Sequence, residues 1–365
     1  MARTPRSSTT SAETTSTAAA RKLRVLVVMH EDLVPPEDRS KRAGPDIVPW
    51  RTEHDVLSAL GELGHEARPL GLRDDLQVLR SALDEFEPHL TFNLLEEFHG
   101  VALYGAAVLS FVELSRRAYT GCNPRGLMLA HDKLLTKKIL AWHRVRTPRG
   151  HFFPFGQPIR APRAVRYPLL VKSAVEDASL GISQASVVHG EEKLLDRVLY
   201  MQETYGTDVL AEEYIDGREL YVGMIGNARV SELPVWEMSF EDWPEDAPRI
   251  ATERVKWSAT YQRKRGIRTG PAENFDPKVR RDITRTCRAV YRALGLSGYA
   301  RIDLRLDAQG QVWVIEANAN PDLARDEDFA ESARAAGLAY PDLVQRILNL
   351  GLAWRPAWKQ GGGAS

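Results

Sequence analysis

The chain is poor in cysteine and has no net charge, and each of these features argues against particular classes of protein. Its 365 residues include two cysteines, Cys122 and Cys287, too far apart in the sequence to indicate a disulfide framework or a zinc site. The 49 basic and 49 acidic residues cancel, so no field favours nucleic acid or an anionic membrane. No apolar run reaches the ~18 residues of a membrane span. We therefore predict a cytoplasmic protein that binds neither nucleic acid nor membrane.

What is present is typical of a globular protein, with 43% hydrophobic residues. Residues 1–22 are rich in Ser, Thr and Ala without an apolar centre, which predicts a disordered tail rather than a secretory signal. Residues 353–365 are predicted to be a flexible tail. From residue 23 to 120, strand-like runs alternate with amphipathic helical segments, which indicates a doubly wound α/β domain. Its substrates should bind at the carboxyl ends of the strands, near His30–Asp32 and Asn93–Glu97.

Residues 299–320, YARIDLRLDAQGQVWVIEANAN, have the period of two that is typical of half-buried strands. Gln309-Gly310 is predicted to be a two-residue hairpin turn. In that register Asp303 lies opposite Glu316, and Arg301 lies opposite Asn318. The second strand is then predicted to carry two alternating sets of side chains, Val312, Val314 and Glu316 against Trp313, Ile315 and Ala317.

This pairing has a chemical consequence. Directly opposed side chains stand about 4.5–5.5 Å apart at Cβ, and two carboxylates that close repel unless a cation lies between them or one is protonated. Asp303, Glu316 and Asn318 present hard oxygen atoms, which suit Mg²⁺. The alternative is a solvated sheet face, and the choice depends on the register.

The sequence contains R-x-D and, beginning thirteen residues after that Asp, E-x-N-x-N-P. This pattern resembles the metal site of the ATP-grasp ligases, most closely D-alanine–D-alanine ligase and its relatives. The run A-x-x-A-G-L-x-Y-P-D-L-V at 333–344 is also similar. The resemblance covers most of residues 90–350 and implies an α/β protein with an α+β ATP-grasp half, in which two subdomains sandwich ATP. The implied domains are an N-terminal substrate domain (23–120), a central subdomain (121–208) and a C-terminal domain with the metal site and a lid (209–352).

The resemblance also implies roles for individual residues. Asp303, Glu316 and Asn318 would hold two Mg²⁺ ions, with Mn²⁺ as an alternative, and Arg301 would stabilise the oxyanion. The implied ATP contacts are Lys133, Lys172 and Lys256 on the phosphates, Glu212 with the backbone of Tyr214 and Ile215 on adenine, and Glu219 on the ribose. Lys256 and Ser179, which keeps one hydroxyl of the family's Gly-Ser-Ser loop, would assist catalysis. Taken singly, the lysines and acids are equally typical of solvated surface.

At the substrate end the chain departs from the D-alanine enzymes. Glu31 is the candidate for the family's glutamate that binds the first substrate's amino group. Trp257 stands where those enzymes usually have a tyrosine. By counting, Glu327 and Asp328 replace a Ser-Leu pair that grips the second substrate's carboxylate, although acidic residues are also ordinary at a helix start.

These features predict an ATP-dependent carboxylate–amine ligase that acts through an acyl phosphate on small molecules, an amino acid or a peptide, without strict D-Ala–D-Ala specificity. Three alternatives stay open: a true D-alanine–D-alanine ligase, a non-catalytic ATP-binding scaffold on the same fold, and a carboxylase-like enzyme that phosphorylates bicarbonate. Relatives are commonly homodimers, but no stretch of this sequence decides the oligomeric state.

Overall fold

The computed structural model describes residues 22–36, 49–175, 181–244, 247–356 and 359. The predicted tail over 1–22 lies outside these ranges except for Lys22, as does most of 353–365. The strands are β1 (Arg24–His30), β2 (Glu66–Leu72), β3 (Leu90–Asn93), β4 (Gly150–Phe153), β5 (Leu169–Ser173), β6 (Val187–Val188), β7 (Val209–Glu213), β8 (Arg218–Gly226), β9 (Val230–Glu232), β10 (Trp236–Phe240), β11 (Ile267–Pro271), β12 (Tyr299–Leu306) and β13 (Val312–Asn318).

The helices of the described residues are α1 (Arg51–Glu62), α2 (Leu76–Phe86), α3 (Gly105–Leu114), α4 (Pro124–His131), α5 (Lys133–Trp142), α6 (Glu191–Tyr205), α7 (Glu253–Trp257), α8 (Ala259–Lys264), α9 (Pro277–Ala293), α10 (Asp328–Ala335) and α11 (Tyr340–Ala353). None of them combines the length and the apolar character that a membrane crossing requires.

The first sheet is parallel, in the order β2-β1-β3. The centre of β1, Val25–Met29, is buried, because successive side chains point to opposite faces and both faces are covered. Leu26 and Val28 join one core with α2, whereas Val25, Val27 and Met29 join another with α1. The predicted doubly wound arrangement is confirmed. Helix α11 packs against α1 and completes the second core, so the end of the chain covers the first sheet.

Two antiparallel sheets follow. One has four strands in the order β4-β7-β5-β6, and the other runs β11-β10-β8-β12-β13, with β9 paired to β8. Helix α6 packs on the four-stranded sheet, and α9 packs on the larger one. Their other faces meet at one cleft, which side chains from β5, β7, β8, β12 and β13 line.

Within the C-terminal domain, residues 236–267 contribute to a small separate core. Trp236, Trp243 and Val255 are buried together against Tyr221 of β8. Thr252 caps α7, because its side chain accepts a hydrogen bond from the N–H of Val255 at 3.2 Å. The packed helix carries Lys256 to the edge of the cleft.

The β12–β13 hairpin has the predicted pairs Asp303–Glu316 and Arg301–Asn318, but its turn and the register beside the turn differ from the prediction. The prediction of a two-residue turn was wrong. Strand β12 ends at Leu306 and β13 begins at Val312, and Asp307 organises the loop between them. Its Oδ1 accepts hydrogen bonds from the N–H groups of Gln309 (3.0 Å) and Gln311 (2.8 Å). As a result Leu306 pairs with Val312, one residue away from the predicted register.

A β-bulge then corrects the register. Ile315 has no partner on β12, because Leu304 pairs with Val314 and Asp303 pairs with Glu316. The predicted pairs Asp303–Glu316 and Arg301–Asn318 are thereby confirmed. The predicted alternation along β13 was wrong, because Val314 lies in the core and does not share a face with Glu316.

Gly217, which precedes β8, provides a test of this packing. It has φ +144°, and a Cβ there would stand 2.1 Å from the carbonyl oxygen of Leu306, whereas Gly206 has φ +61° and open space around it. We expect Gly206→Ala to lose about 1–2 kcal/mol of unfolding free energy from backbone strain alone. Gly217→Ala should lose about 1–3 kcal/mol more from the clash. Urea unfolding of both variants measures the difference, and equal losses would contradict the close approach.

Candidate active site in the cleft between the two antiparallel sheets

A cleft lies between the two antiparallel sheets, with about 690 Å³ of empty space that includes open solvent. Apolar side chains line part of it, and charged side chains line the rest. The apolar group is Pro148, Leu170, Ile182, Ile215, Ile250, Ala251, Leu304 and Ile315, and the polar group is Lys172, Glu212, Glu213, Tyr214, Glu219, Lys256, Asp303, Arg305 and Glu316. The structure thus brings most of the predicted nucleotide and metal residues to one place.

At one end of the cleft, Asp303 is held by its neighbour on the same strand face. Arg301 donates from Nε to one carboxylate oxygen (2.7 Å) and from Nη2 to the other (2.8 Å). The guanidinium also lies 4.9 Å from the ring centroid of Tyr221. Burial raises the pKa of Asp303 to about 6, Arg301 opposes the rise, and the charge of Glu316 adds to it. The two carboxylates therefore interact electrostatically, as their predicted pairing requires.

The donor set at this end fits Mg²⁺. Among the described residues, no three or more His, Cys, Asp or Glu side chains are grouped so that they could hold a metal ion. The predicted set is instead two carboxylates and an amide. Mg²⁺ usually takes one or two carboxylates and completes its shell with phosphate and water. Asp303 keeps acceptor capacity beside its two bonds to Arg301, because a carboxylate has about four lone-pair sites. Asn318 Oδ1 accepts the N–H of Asn320 at 2.8 Å, which orients its side chain.

On the opposite sheet, Glu212 lies between two lysines. Its carboxylate oxygens are 2.7 Å from Lys172 Nζ and 2.6 Å from Lys137 Nζ. Burial alone would raise the pKa of Glu212, but the two lysines outweigh it and the pKa is lowered. Burial lowers the pKa of Lys137, against the attraction of Glu212. The sequence prediction missed Lys137, although its i,i+4 spacing from Lys133 places both on one helix face.

A backbone hydrogen bond links Lys133 to the residue that follows the strand of Lys172. Lys133 is buried in the first turn of α5, and its N–H donates to the carbonyl of Ala174 at 3.1 Å. Ala174 directly follows β5, the strand that carries Lys172. The predicted phosphate lysines therefore come from three elements, α5, β5 and α7.

Glu219 is fixed by two donors. Arg305 Nη2 donates to Oε2 at 2.6 Å, and the Tyr221 hydroxyl donates to Oε1 at 2.8 Å. Arg305 also donates to the carbonyl of Arg249 at 2.5 Å, which ties β12 to the segment before α7. The Tyr214 hydroxyl accepts the N–H of Arg249 at 3.0 Å. The sequence analysis gave Arg305 no role in the site, whereas in the structure it supports the cleft.

The predicted substrate residues are distributed differently. Glu31 is exposed and forms an ion pair with Arg73 on the surface, so the structure does not bring it to the cleft. Ser179 lies outside the described residues, and of Trp257 only the backbone, at the end of α7, is described. Glu327 precedes α10 and forms an ion pair with Arg51. Asp328 begins α10. Burial raises its pKa, and the positive charges of Arg301 and Lys256 oppose part of that rise.

Glu53, which the sequence prediction missed, is a buried acid in the first turn of α1. It is 4% exposed, and its Oε2 has no hydrogen-bond partner among the described residues. Burial raises its pKa to about 8, and the charges of Glu96 and Asp322 add to the rise. An acid in the first turn of a helix is ordinary, so the local sequence carried no signal of this environment.

The raised pKa of Glu53 makes stability depend on pH. Between its ordinary value of 4.5 and about 8, the folded state holds a proton that the unfolded state has lost, so the unfolding free energy falls as pH rises through this window. Glu53→Gln removes the effect. We expect it to stabilise the protein by about 1–3 kcal/mol at pH 8 and by little at pH 4.5.

Urea unfolding at both pH values measures this change. Glu192→Gln is the matched control, because Glu192 is an exposed acid in the first turn of α6. A Glu53→Gln variant with the same pH dependence as the wild type would refute the buried proton.

Comparisons with known proteins agree with this geometry. The D-ala D-ala ligase C-terminus family model matches residues 157–349. An uncharacterised protein, y4sG of Sinorhizobium fredii, is 33% identical over 83% of this chain and 88% of its own length. The D-alanine–D-alanine ligase of Desulforudis audaxviator is 30% identical over 83% of this chain and 93% of its own.

Among solved structures, the D-alanine–D-alanine ligase of Bacillus anthracis complexed with ATP matches with a TM-score of 0.71 at 20% identity, over 93% of this chain and 100% of that one. This likeness confirms the predicted fold class. The family match and the sequence relatives confirm the predicted recognition and the enzyme class. The chain therefore belongs to the D-alanine–D-alanine ligase family of ADP-forming ATP-grasp ligases that make a C–N bond.

Proposed function

We propose that the protein couples a small carboxylate to an amine through an acyl phosphate, at the expense of ATP. The observation that carries the proposal is the pairing of Asp303 with Glu316 on β12 and β13, in the same cleft as Lys172 and Glu212 of the other sheet. A triphosphate needs opposing charge along its length, and a cleft of this composition supplies it.

The nucleotide half is the better supported part. The apolar side chains of the cleft suit adenine, and the relative from Bacillus anthracis was solved with ATP. Glu212 would accept from the adenine amino group, together with the backbone around Tyr214 and Ile215, and Glu219 would accept from the ribose hydroxyls. Lys137 keeps Glu212 ionised and in place, which leaves Lys172 to share its charge between Glu212 and a phosphate.

Asp303, Glu316 and Asn318 would hold the Mg²⁺ ions, which neutralise phosphate charge when bound. Mn²⁺ is a chemical alternative with the same ligands. Lys133 and Lys256 would add positive charge at the phosphates.

Two bond exchanges make up the reaction. A substrate carboxylate oxygen attacks the γ-phosphorus of ATP, the bond to the leaving ADP breaks, and an acyl phosphate forms. The amine nitrogen then attacks the acyl carbon, the C–O bond to phosphate breaks, and the nitrogen loses a proton. Arg301 would stabilise the negative charge on the acyl oxygen. Two of its five N–H groups bind Asp303, so others stay available.

Glu31 is a poor candidate for the glutamate that receives the first substrate's amino group, because it already forms an ion pair with Arg73 on the surface.

True D-alanine–D-alanine ligation is the second candidate, and the named relatives favour it. Against it stand Glu327 and Asp328, acids at the place that the resemblance assigns to the acceptor carboxylate. With D-alanine as the sole amino acid we expect phosphate release close to background. Saturable release with a dipeptide mass would instead establish this second candidate.

Glu316→Gln tests the metal assignment. The change keeps the shape of the side chain but removes one negative charge, and we expect ADP formation to fall at least about 100-fold, the scale of a lost electrostatic contact in an active site. The thermal midpoint should stay within a few degrees of the wild type.

Glu232→Gln is the control, since Glu232 lies on β9 of the same sheet, bound to Arg288 and outside the cleft. Its turnover should be that of the wild type. Wild-type turnover in Glu316→Gln would refute the assignment, whereas ATP binding without any turnover in the wild type would favour the scaffold alternative.

A further inference from the structure

Acidic side chains gather around Asp322 in the loop that follows β13. Asp322 Oδ1 accepts hydrogen bonds from the Thr52 hydroxyl (2.5 Å) and the N–H of Ala324 (2.8 Å), which fixes its position between α1 and α10. Burial is the main cause of the raised pKa of Glu53, Glu327 and Asp328, and the charge of Asp322 adds to all three. We name this group the acidic wall; its members are Glu53, Glu96, Asp322, Glu327 and Asp328.

The acidic wall adjoins the proposed metal site through Asn320. Asn320 donates its N–H to Asn318 Oδ1 at 2.8 Å and its side-chain amide to the carbonyl of Leu95 at 3.4 Å. These bonds join β13 to the carboxyl end of β3, next to Glu96. At the other side, Arg301 and Lys256 act electrostatically on Asp328. A substrate that reacts beside Arg301 would therefore lie within the electrostatic reach of Asp328.

The arginines of this region are already paired with acids. Arg51 donates to Asp326 at 3.1 Å and to Glu327. Arg325 donates to Glu62 at 2.5 Å. An arginine held by carboxylates is a weak partner for a further carboxylate, so neither side chain is disposed to bind the carboxylate of a substrate.

A second observation, at Glu53, points to a cationic ligand. Glu53 is 4% exposed, and its Oε2 has no hydrogen-bond partner among the described residues. The negative charges that act on it are those of Glu96 and Asp322. A buried polar group without a partner is costly. Because a cation favours the ionised form of a carboxylate, Glu53 would lose its proton as a positive group binds.

We infer that the amine substrate is a cationic amine, with a second positive charge and without a carboxylate beside its reacting nitrogen, as in a diamine or an aminoalkylguanidine. This inference rests on the proposed function and specifies its acceptor. The acidic wall repels a carboxylate and attracts the second positive charge, which orients the free amine towards Arg301 and the acyl group.

Matched pairs of acceptors test the inference. Cadaverine and L-lysine, and likewise agmatine and L-arginine, differ only by the carboxylate. Each is offered to the full chain with ATP, Mg²⁺ and a donor, and kcat/KM and product mass are measured. We expect kcat/KM at least tenfold higher for cadaverine and agmatine. Equal or higher values for the amino acids would overturn the inference.

Donors are found first, by hydroxylamine trapping with D-alanine, L-alanine and the other common amino acids. A hydroxamate and ADP show that the first half of the reaction occurs without the natural acceptor. If a hydroxamate forms but the decarboxylated acceptors are not preferred, this inference fails and the proposed function stands. If neither hydroxamate nor ADP forms with any donor, the proposed function fails and this inference fails with it.

Variants assign the preference to the acidic wall. The double change Glu327→Ser and Asp328→Leu restores the pair of the D-alanine enzymes and removes one partner of Arg51. It should shift the cadaverine-to-lysine ratio at least tenfold towards lysine. Asp328→Asn, which keeps the side-chain shape, should shift it in the same direction and serves if the double variant does not fold.

Asp342→Asn is the matched control, because Asp342 is an exposed acid in the first turn of α11. It should leave the ratio at the wild-type value. An unchanged ratio in Asp328→Asn, with a wild-type unfolding midpoint, would overturn the role of the acidic wall.

Discussion

The structure depends on one costly contact, the pairing of Asp303 with Glu316 across β12 and β13. Two carboxylates on a half-buried sheet face repel each other, and burial adds a desolvation cost. Arg301 offsets part of this cost through its two bonds to Asp303 and its position beside the Tyr221 ring. The core on the other face of the sheet then holds both strands where the repulsion alone would separate them. A fold that maintains such a contact concentrates negative potential where a metal ion is useful.

The pairing of Asp303 with Glu316 could be predicted from the sequence, but the loop and the β-bulge that produce it could not. The predicted turn at Gln309-Gly310 is replaced by a loop around Asp307, which shifts the register by one residue, and the bulge at Ile315 shifts it back. The two deviations cancel at Glu316 and leave Val312 and Val314 on the core side. A bulge changes which residues share a face without changing composition. The adjacent apolar residues Val314 and Ile315 were its only trace in the sequence.

Family resemblance located the cleft residues that belong to short motifs, such as Lys172, Glu212 and Glu219, and the structure gathers them. Contacts between distant segments carried no local signal. Lys137 and Glu212 are 75 residues apart, and Arg51 and Glu327 are 276 apart. Each side chain, viewed in its own helix or loop, is typical of solvated surface. The sequence prediction therefore selected Glu31, which follows the first strand, and gave no role to Glu53, whose burial arises from tertiary packing.

The charges differ on the two sides of Arg301. Lys137 and Lys172 flank Glu212 in the cleft, whereas beyond Arg301 the acids around Asp322 outnumber the arginines that are paired with them. In the proposed reaction such a difference would orient the substrates, because an anionic phosphorylated acid and a cationic amine would be drawn to opposite ends. It would also keep the amine away from the phosphates, so that the two substrates would meet at the boundary. Arg301 lies at this boundary, paired with Asp303 of the proposed metal site and influenced by Asp328 from the other side.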